Sequence, residues 1–152
     1  GAQPIRSGSH ASLDRFAVAA DRLQDYEPNA SRTKAIQYAF GTLAAVRQGN
    51  GTKWSIVYDL KNLEVHYTTQ RCSEIRTLRL KDLDFRPKAP VRTIGINTPH
   101  TGLLNSHLAD YDPDINRWMV FYTVRQTPMI AQLPDVLIER LAAYPETTSP
   151  AP

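Results

Sequence analysis

The sequence has a single cysteine and no long apolar run, and these two shortages exclude several kinds of protein. Cys72 is the one cysteine among 152 residues, so the chain can form neither an internal disulfide nor a four-cysteine zinc site. No apolar run approaches the ~20 residues that a membrane-spanning helix needs. Residues 1–10 also lack the apolar segment of a signal peptide. We therefore expect no membrane partner.

Basic and acidic residues are scattered along the sequence rather than clustered. The chain has 18 basic and 15 acidic side chains, which gives a net charge of +3, and no run of five or more like charges occurs. A nucleic-acid-binding protein would gather its basic residues on one dense face, often with aromatics between them. We therefore expect no nucleic-acid partner. Hydrophobic residues make up 41% and charged residues 22%, which is typical of a globular domain.

Apolar residues recur at helical spacing in two segments of the first third of the chain. Ser12 is a suitable N-cap, and the pattern predicts a helix over residues 12–25. Ser31 can cap a second helix that continues to Val46 and ends at Gly49-Asn50-Gly51, because glycine and asparagine accept the left-handed conformation that closes a helix. The two helices are expected to form a hairpin that buries its apolar faces against another element.

The period of the pattern then changes from helical to alternating. Residues 54–58 alternate in polarity, a turn follows at residues 60–62, and the alternation resumes around Val65 and Tyr67. A third strand is predicted at residues 75–80. This order predicts a three-stranded antiparallel meander with one packed and one wetter face.

The rest of the chain predicts helices after a proline-rich stretch. A short strand is expected at residues 93–96, and a helix at residues 114–125. Pro134 suits the first turn of a last short helix, and residues 145–152 are expected to be a disordered tail. The predicted fold class is α+β, a helix hairpin followed by an antiparallel meander and carboxy-terminal helices.

Three segments, in order and at the right spacing, resemble the choloylglycine hydrolase and penicillin V acylase family. They are Gly8-Ser9-His10-Ala11-Ser12-Leu13-Asp14-Arg15-Phe16, Lys53-Trp54-Ser55-Ile56-Val57-Tyr58-Asp59-Leu60-Lys61-Asn62, and Ile75-Arg76 followed by Leu80-Lys81-Asp82-Leu83-Asp84-Phe85. The first contains an Arg-Phe pair that opens a helix, and the second matches a strand-turn-strand unit. The resemblance covers about residues 5–86 and implies that residues 1–144 are the carboxy-terminal portion of a domain of this family.

The resemblance implies a fold and a reaction. The fold would be part of the αββα sandwich of N-terminal nucleophile hydrolases, in which two antiparallel sheets lie between layers of helices. The nucleophile would be a cysteine at the mature amino terminus, whose α-amino group has a pKa near ~8 and can serve as its base. Substrates would be small linear amides, such as conjugated bile salts, penicillin V or N-acyl homoserine lactones, and no cofactor is expected.

Arg15 is the one residue here that matches an active-site position of the family. It corresponds to the arginine that lies beside the nucleophile, where a permanently charged guanidinium lowers the pKa of a thiol. The alternative is an exposed first-turn residue that pairs with Asp14. Periodicity alone favours that alternative, whereas the surrounding motif favours the site.

The nucleophile itself is not in this sequence. Residue 1 is Gly, and the other active-site groups of the family precede the segment that this chain resembles. The chain is therefore expected to be inactive alone and to work with the missing amino-terminal portion, as an oligomer when complete, in the periplasm or cytoplasm of a bacterium. The alternatives are a non-catalytic truncated or degenerate member that serves as a structural or binding module, and an unrelated α+β binding domain.

Other reactive residues give weaker patterns. Cys72 with His66 could form a thiol–imidazole pair, but their spacing does not bring them together, and a lone cysteine is more often a small core filler. His100, His107 and Asp110 match no compact zinc spacing. The acidic residues from Asp110 to Asp114 resemble the start of an EF-hand loop, but the expected glycine and glutamate are missing. Helix capping by Asp112 or Asp114 is the better interpretation.

Two sequons and three aromatics complete the candidates. Asn29-Ala30-Ser31 and Asn50-Gly51-Thr52 have the pattern of glycosylation sites, which occurs often by chance. Trp54, Tyr58 and Tyr67 alternate on the predicted strands, and sheet packing explains them better than a ligand platform.

Overall fold

The computed structural model describes residues 11–86 and 88–147, and in them the chain is a mixture of helices and strands. The helices are α1 (Ala11–Gln24), α2 (Arg32–Ala45), α3 (Pro113–Gln126), α4 (Asp135–Ala142) and α5 (Tyr144–Thr147). The strands are β1 (Trp54–Asp59), β2 (Glu64–Thr69), β3 (Cys72–Arg79), β4 (Arg92–Thr93), β5 (Gly102–Leu103) and β6 (Ala109–Asp110). The predicted α+β class is confirmed.

The chain divides into two compact units. The first unit contains the residues up to Leu83 together with Gly95–Ser106, and the second contains Asp84–Ile94 and the residues from His107 onward. The two antiparallel helices and the four-stranded sheet belong to the first unit. The remaining helices and the short β4–β6 pair belong to the second.

Helices α1 and α2 form the predicted hairpin. The half-buried side chains described on α1 lie largely on one side of the helix, at Arg15, Val18, Ala19, Ala20 and Arg22. The helices approach closely at Gly41, where an added Cβ would lie 3.3 Å from Nη2 of Arg22. As expected, the Ser31 hydroxyl caps α2 by accepting a hydrogen bond from the Lys34 amide at 3.4 Å.

The sheet has the strand order β1-β2-β3-β5. Strands β1, β2 and β3 pair antiparallel in sequence order, which confirms the meander. Strand β5 then pairs in parallel with β3, opposite Arg76 and Thr77. The sequence did not predict β5, because two residues are too few to show alternation.

The two faces of the sheet have different surroundings. One face, which we call the helix face, carries Asp59, Glu64 and His66, and Arg32 of α2 reaches across to it. The opposite face, which we call the far face, carries Tyr58 and Tyr67. Because β1 lies at the edge of the sheet, the outward backbone groups of this strand have no strand partner in the described residues.

The second unit is built on α3 and α4. Asp112 caps α3 by accepting hydrogen bonds from the amides of Asp114 and Ile115 at 2.9 and 3.1 Å, which confirms the predicted capping. Val124, Ile138 and Ala142 are the fully buried apolar residues of these helices. The strand expected at residues 93–96 is shorter and lies at Arg92–Thr93, where it pairs with Ala109–Asp110.

Part of the predicted disordered tail is helical. Tyr144–Thr147 form a helical turn, although residues 145–147 were assigned to the disordered tail. Residues 148–152 lie outside the described part of the chain. The same holds for residues 5–10, where the resemblance to the amidase family begins.

Candidate functional site

Arg15 lies in the first turns of α1 and is half-buried against the hairpin. Its Nη2 donates a hydrogen bond to the Ser12 hydroxyl at 3.1 Å. The carboxamide of Gln48, in the loop that follows α2, also faces the guanidinium. The neutral Ser12 hydroxyl is therefore the hydrogen-bond acceptor of Arg15 among the described residues.

Among the residues that the structure describes, no carboxylate pairs with Arg15. The ion pairs among the described residues join other arginines to acids, and the pair with Asp14 that we considered is not formed. Residues 1–10 contain neither aspartate nor glutamate. Since a guanidinium stays protonated at every working pH, Arg15 carries a fixed positive charge.

The loop that presents Gln48 is fixed by its own backbone. The Gln48 amide donates to the Thr52 hydroxyl at 2.9 Å, and the Gly51 amide donates to the Gln48 carbonyl at 2.8 Å. Gly49 has a φ of +49°, a left-handed conformation that glycine adopts without the Cβ penalty. The residues that we expected only to end α2 therefore also orient a side chain toward α1.

A buried network of charged residues, which the sequence did not predict, joins α2 to the helix face of the sheet. Glu64 is 7% exposed and accepts hydrogen bonds from Arg32 and from Nε of Arg79, the latter at 3.1 Å. Arg32 also donates to Asp59 at 2.7 Å. Alternation places Glu64 on the wetter face of the predicted meander, but α2 covers this face, and Arg32 reaches across to Glu64.

The network changes the acidity of its carboxyls. The hydrogen bond from Arg32 lowers the pKa of Asp59 to about 2. Burial raises the pKa of Glu64, but the hydrogen bonds from Arg79 and Arg32 outweigh it, so that this pKa lies below its usual value. Both carboxylates are ionised at neutral pH, and the network binds α2 to the sheet.

His66 is buried, and the contacts of its imidazole are with Thr77 and Glu64 rather than with Cys72. Its Nδ1 lies 2.9 Å from the Thr77 hydroxyl, and its Nε2 lies 3.6 Å from a Glu64 oxygen without a hydrogen bond. Burial lowers the pKa of the imidazole. Cys72 lies at the β2–β3 hairpin, where its amide donates to the Thr69 hydroxyl at 3.2 Å. No contact joins the two among the described residues.

Arg76 is the most buried charged residue, with 1% of its surface exposed. Its Nε and Nη2 donate to the carbonyls of His100 and Thr98 at 3.1 and 2.8 Å. The guanidinium also lies over the ring of Tyr67, 5.5 Å from the centroid. Because its partners are backbone carbonyls of the segment that leads to β5, Arg76 fixes this segment to the sheet rather than forming a site.

A groove of about 980 Å³ runs between the hairpin and β1. Leu23, Ile36 and Leu43 line it from the helices, and Ile56 and Tyr58 line it from the strand. Most of these side chains are apolar, and the groove lies next to the unpaired edge of the sheet. This surface fits a polypeptide segment or an apolar molecule.

The described residues contain neither a group of side chains suited to a metal ion nor a membrane-spanning helix. No group of three or more His, Cys, Asp or Glu side chains there could hold a metal ion, so the structure does not bring His100, His107 and Asp110 together as ligands. None of the helices in the described ranges is long and apolar enough to cross a membrane.

The fold is that of an α+β protein. Its best-supported candidate site is Arg15 on the helix hairpin, whose charge no carboxylate of the described residues neutralises. No protein-family model matches the chain, and no curated protein matches it either.

Proposed function

We propose that this chain is the carboxy-terminal part of a linear-amide hydrolase of the choloylglycine hydrolase type. It works with an amino-terminal portion that supplies the nucleophilic cysteine and its α-amino base. The observation that carries this proposal is the Arg15 guanidinium, which bonds the neutral Ser12 hydroxyl and pairs with no carboxylate of the described residues.

The unneutralised charge suits the reaction that the resemblance implies. A cationic group beside a cysteine stabilises the thiolate and lowers the pKa of the thiol. The thiolate would attack the amide carbonyl, the amine would leave with a proton, and water would hydrolyse the acyl-enzyme to the carboxylic acid. An arginine already paired with an aspartate would give the thiolate far less stabilisation.

The layers of the first unit agree with one half of a sandwich. The helix hairpin covers one face of the sheet, whereas Trp54 and Tyr58 are 56% and 62% exposed. In an αββα sandwich, a second sheet would cover the far face, and another strand would pair with the free edge of β1. We propose that the amino-terminal portion supplies both.

A non-catalytic binding module is the second candidate. The observation that favours it is the groove of about 980 Å³ beside β1, which could accept an apolar ligand or a peptide strand without any chemistry. Under this alternative Arg15 has no reactive partner, and its substitution changes no rate.

Acyl-enzyme formation distinguishes the two candidates. The natively purified protein, with any chain that accompanies it, is mixed with penicillin V, and the mass of each chain is recorded over time. We expect an acyl adduct on an amino-terminal cysteine, and Arg15→Ala should abolish it. Arg71→Ala is the matched control, because this exposed arginine lies at the β2–β3 hairpin and not on α1. No adduct in the wild-type protein would contradict the proposal.

A further inference from the structure

Helix α3 is apolar on two opposite sides. One side packs on α4, where Val124 is buried and Asn116 donates a hydrogen bond to the Ala142 carbonyl at 2.7 Å. The other side carries four large apolar residues at positions i, i+3, i+4 and i+7, which fall within an arc of about 100°. We call them the outer stripe: Ile115, Trp118, Met119 and Tyr122. A helix that packed only on α4 would have polar residues at these positions.

The outer stripe is exposed and continuous. The exposed fractions of its four side chains lie between 49% and 64%. The rings of Trp118 and Tyr122 stack with their centroids 5.4 Å apart and their planes at 17°, so the two side chains form one flat apolar surface. A contiguous apolar surface of this kind, unlike single exposed hydrophobic residues, is typical of a protein interface.

The charges beside the outer stripe lie on one flank of the helix. Asp114 in the first turn and Arg125 in the last turn fall on the same side of the stripe, whereas Asn116 and Thr123 on its other side are neutral. Hydrogen bonds to Asp135 and to two backbone carbonyls hold the Arg125 side chain. Because 39% of this side chain is still exposed, its charge can also meet a partner.

This distribution of charge favours an antiparallel pair of α3 helices. When two copies pack face to face about a two-fold axis, residues on the same flank of the two antiparallel helices meet. Asp114 of each copy then lies beside Arg125 of the other, and the two helix dipoles oppose each other. A parallel pair would instead place both charges beside the neutral flank and would align the dipoles.

We propose that a second copy of this chain covers the outer stripe. The two α3 helices pack antiparallel about a two-fold axis beside Trp118 and Met119, so that Ile115 of each copy contacts Tyr122 of the other. One helix per copy buries less than the ~800 Å² per partner of a standard interface, and the dissociation constant is therefore on the order of micromolar. This inference is independent of the amidase, because the outer stripe contains no residue of the proposed reaction.

Engineered cysteines test the antiparallel register. The natively purified protein, with any chain that accompanies it, carries Cys72→Ser and is oxidised with copper phenanthroline, and disulfides are identified from the masses of the linked peptides. Met119→Cys should form a disulfide-linked homodimer, because its two Cα atoms lie about 5–6 Å apart across the axis. Ile115→Cys should not, because its two Cα atoms are about 10 Å apart along the helices. Ile115→Cys combined with Tyr122→Cys should form the homodimer again.

Sedimentation over a range of protein concentrations measures the strength of the pairing. Met119→Asp brings two carboxylates together at the axis and should raise the dissociation constant at least about tenfold. Asp114→Arg places like charges side by side and should raise it about threefold to tenfold. Val136→Asp is the matched control, because Val136 is a similarly exposed apolar residue of α4, and it should leave the dissociation constant unchanged.

Four results would overturn the proposal. They are a disulfide between two copies of Ile115→Cys alone, no disulfide of Met119→Cys, a disulfide of Met119→Cys only to a peptide outside this chain, and equal effects of Met119→Asp and Val136→Asp. The first would show parallel helices, and the third would show that another protein covers the outer stripe. Neither experiment measures amide hydrolysis, so a failure of the proposed function would leave these results unchanged.

Discussion

Glu64 is the residue on which the attachment of α2 to the sheet depends. It is buried on β2 and bonds Arg32 from the helix and Arg79 from the next strand. Removing one partner of a buried ion pair is more costly than replacing the whole pair with apolar groups, because a charge is left without compensation. Sequence alternation could not reveal this role, since it reports which residues share a face and not what covers that face.

The network predicts a loss of stability in acid. The pKa of Asp59 is about 2 when folded and 3.8 when unperturbed, so the stabilisation is fully present above pH 3.8. It is lost as the pH falls toward 2, because the unfolded chain binds protons first. We expect urea midpoints of the wild type to fall across this window. Asp59→Asn should flatten the dependence, and an equally steep dependence in this variant would contradict the assignment.

His66 predicts a second pH range, above that of Asp59, in which the stability of the protein changes. Burial lowers the pKa of this imidazole below 6.5, so the unfolded chain binds more protons than the folded chain just below pH 6.5. Stability should therefore decrease as the pH falls from 6.5. His66→Gln should remove this part of the dependence. Calorimetric unfolding midpoints of the wild type and of His66→Gln, measured between pH 5 and 7.5, test this prediction.

At the scale of elements, the turn after α2 places Gln48, and a single glycine allows its shape. Gly49→Ala would put a Cβ on a residue with a φ of +49°, which costs about 1–2 kcal/mol in a left-handed conformation. Gly95→Ala is the matched control, because no positive φ is recorded there and no atom lies within 4 Å of the added Cβ. Equal urea midpoints for the two variants would contradict the strain.

The packing of α4 against α3 predicts that substitutions at two positions of α4 differ greatly in their effect on stability. Ile138 is fully buried, whereas Val136 is 60% exposed. Ile138→Ala should destabilise the natively purified protein by about 2–5 kcal/mol, because it leaves a cavity in the packed interface. Val136→Ala should change stability by no more than about 0.5 kcal/mol. Similar effects of the two substitutions in urea unfolding would show that α4 packs through another face.

The sequence predicted the long elements and missed the short contacts. Residues 12–25 and 114–125 show a helical period over several turns, and residues 54–80 show strand alternation, so both patterns are long enough to read. Strand β5 has two residues, and the bonds of Arg76 join segments that are distant in sequence. Such contacts depend on tertiary placement, and local patterns carry no signal for them.

At the scale of the whole molecule, the first unit has little core of its own. Tyr67 and Leu104 are its buried hydrophobic side chains among the described residues, and only Leu104 of the two is fully buried. Large apolar side chains remain exposed on α1 and on the sheet, at Leu13, Phe16, Leu23, Trp54 and Tyr58. Exposed apolar surface next to a free strand edge is typical of a protein interface or of an aggregation-prone surface.

We therefore expect the isolated chain to associate. Analytical ultracentrifugation at micromolar concentration should show oligomers or aggregates, and Trp54→Ser with Tyr58→Ser should reduce them, because these rings are exposed on the sheet. Lys61→Ser is the control at the neighbouring turn. A monodisperse monomer that unfolds cooperatively would contradict this expectation.

The mass of the natively purified protein, together with whatever accompanies it, tests the central claim most directly. The two-part amidase requires a second portion with an amino-terminal cysteine, either as a separate chain of comparable size or joined to this one. A single 17.1 kDa species with nothing attached would contradict it, because such a molecule contains no terminal thiol and cannot perform the reaction.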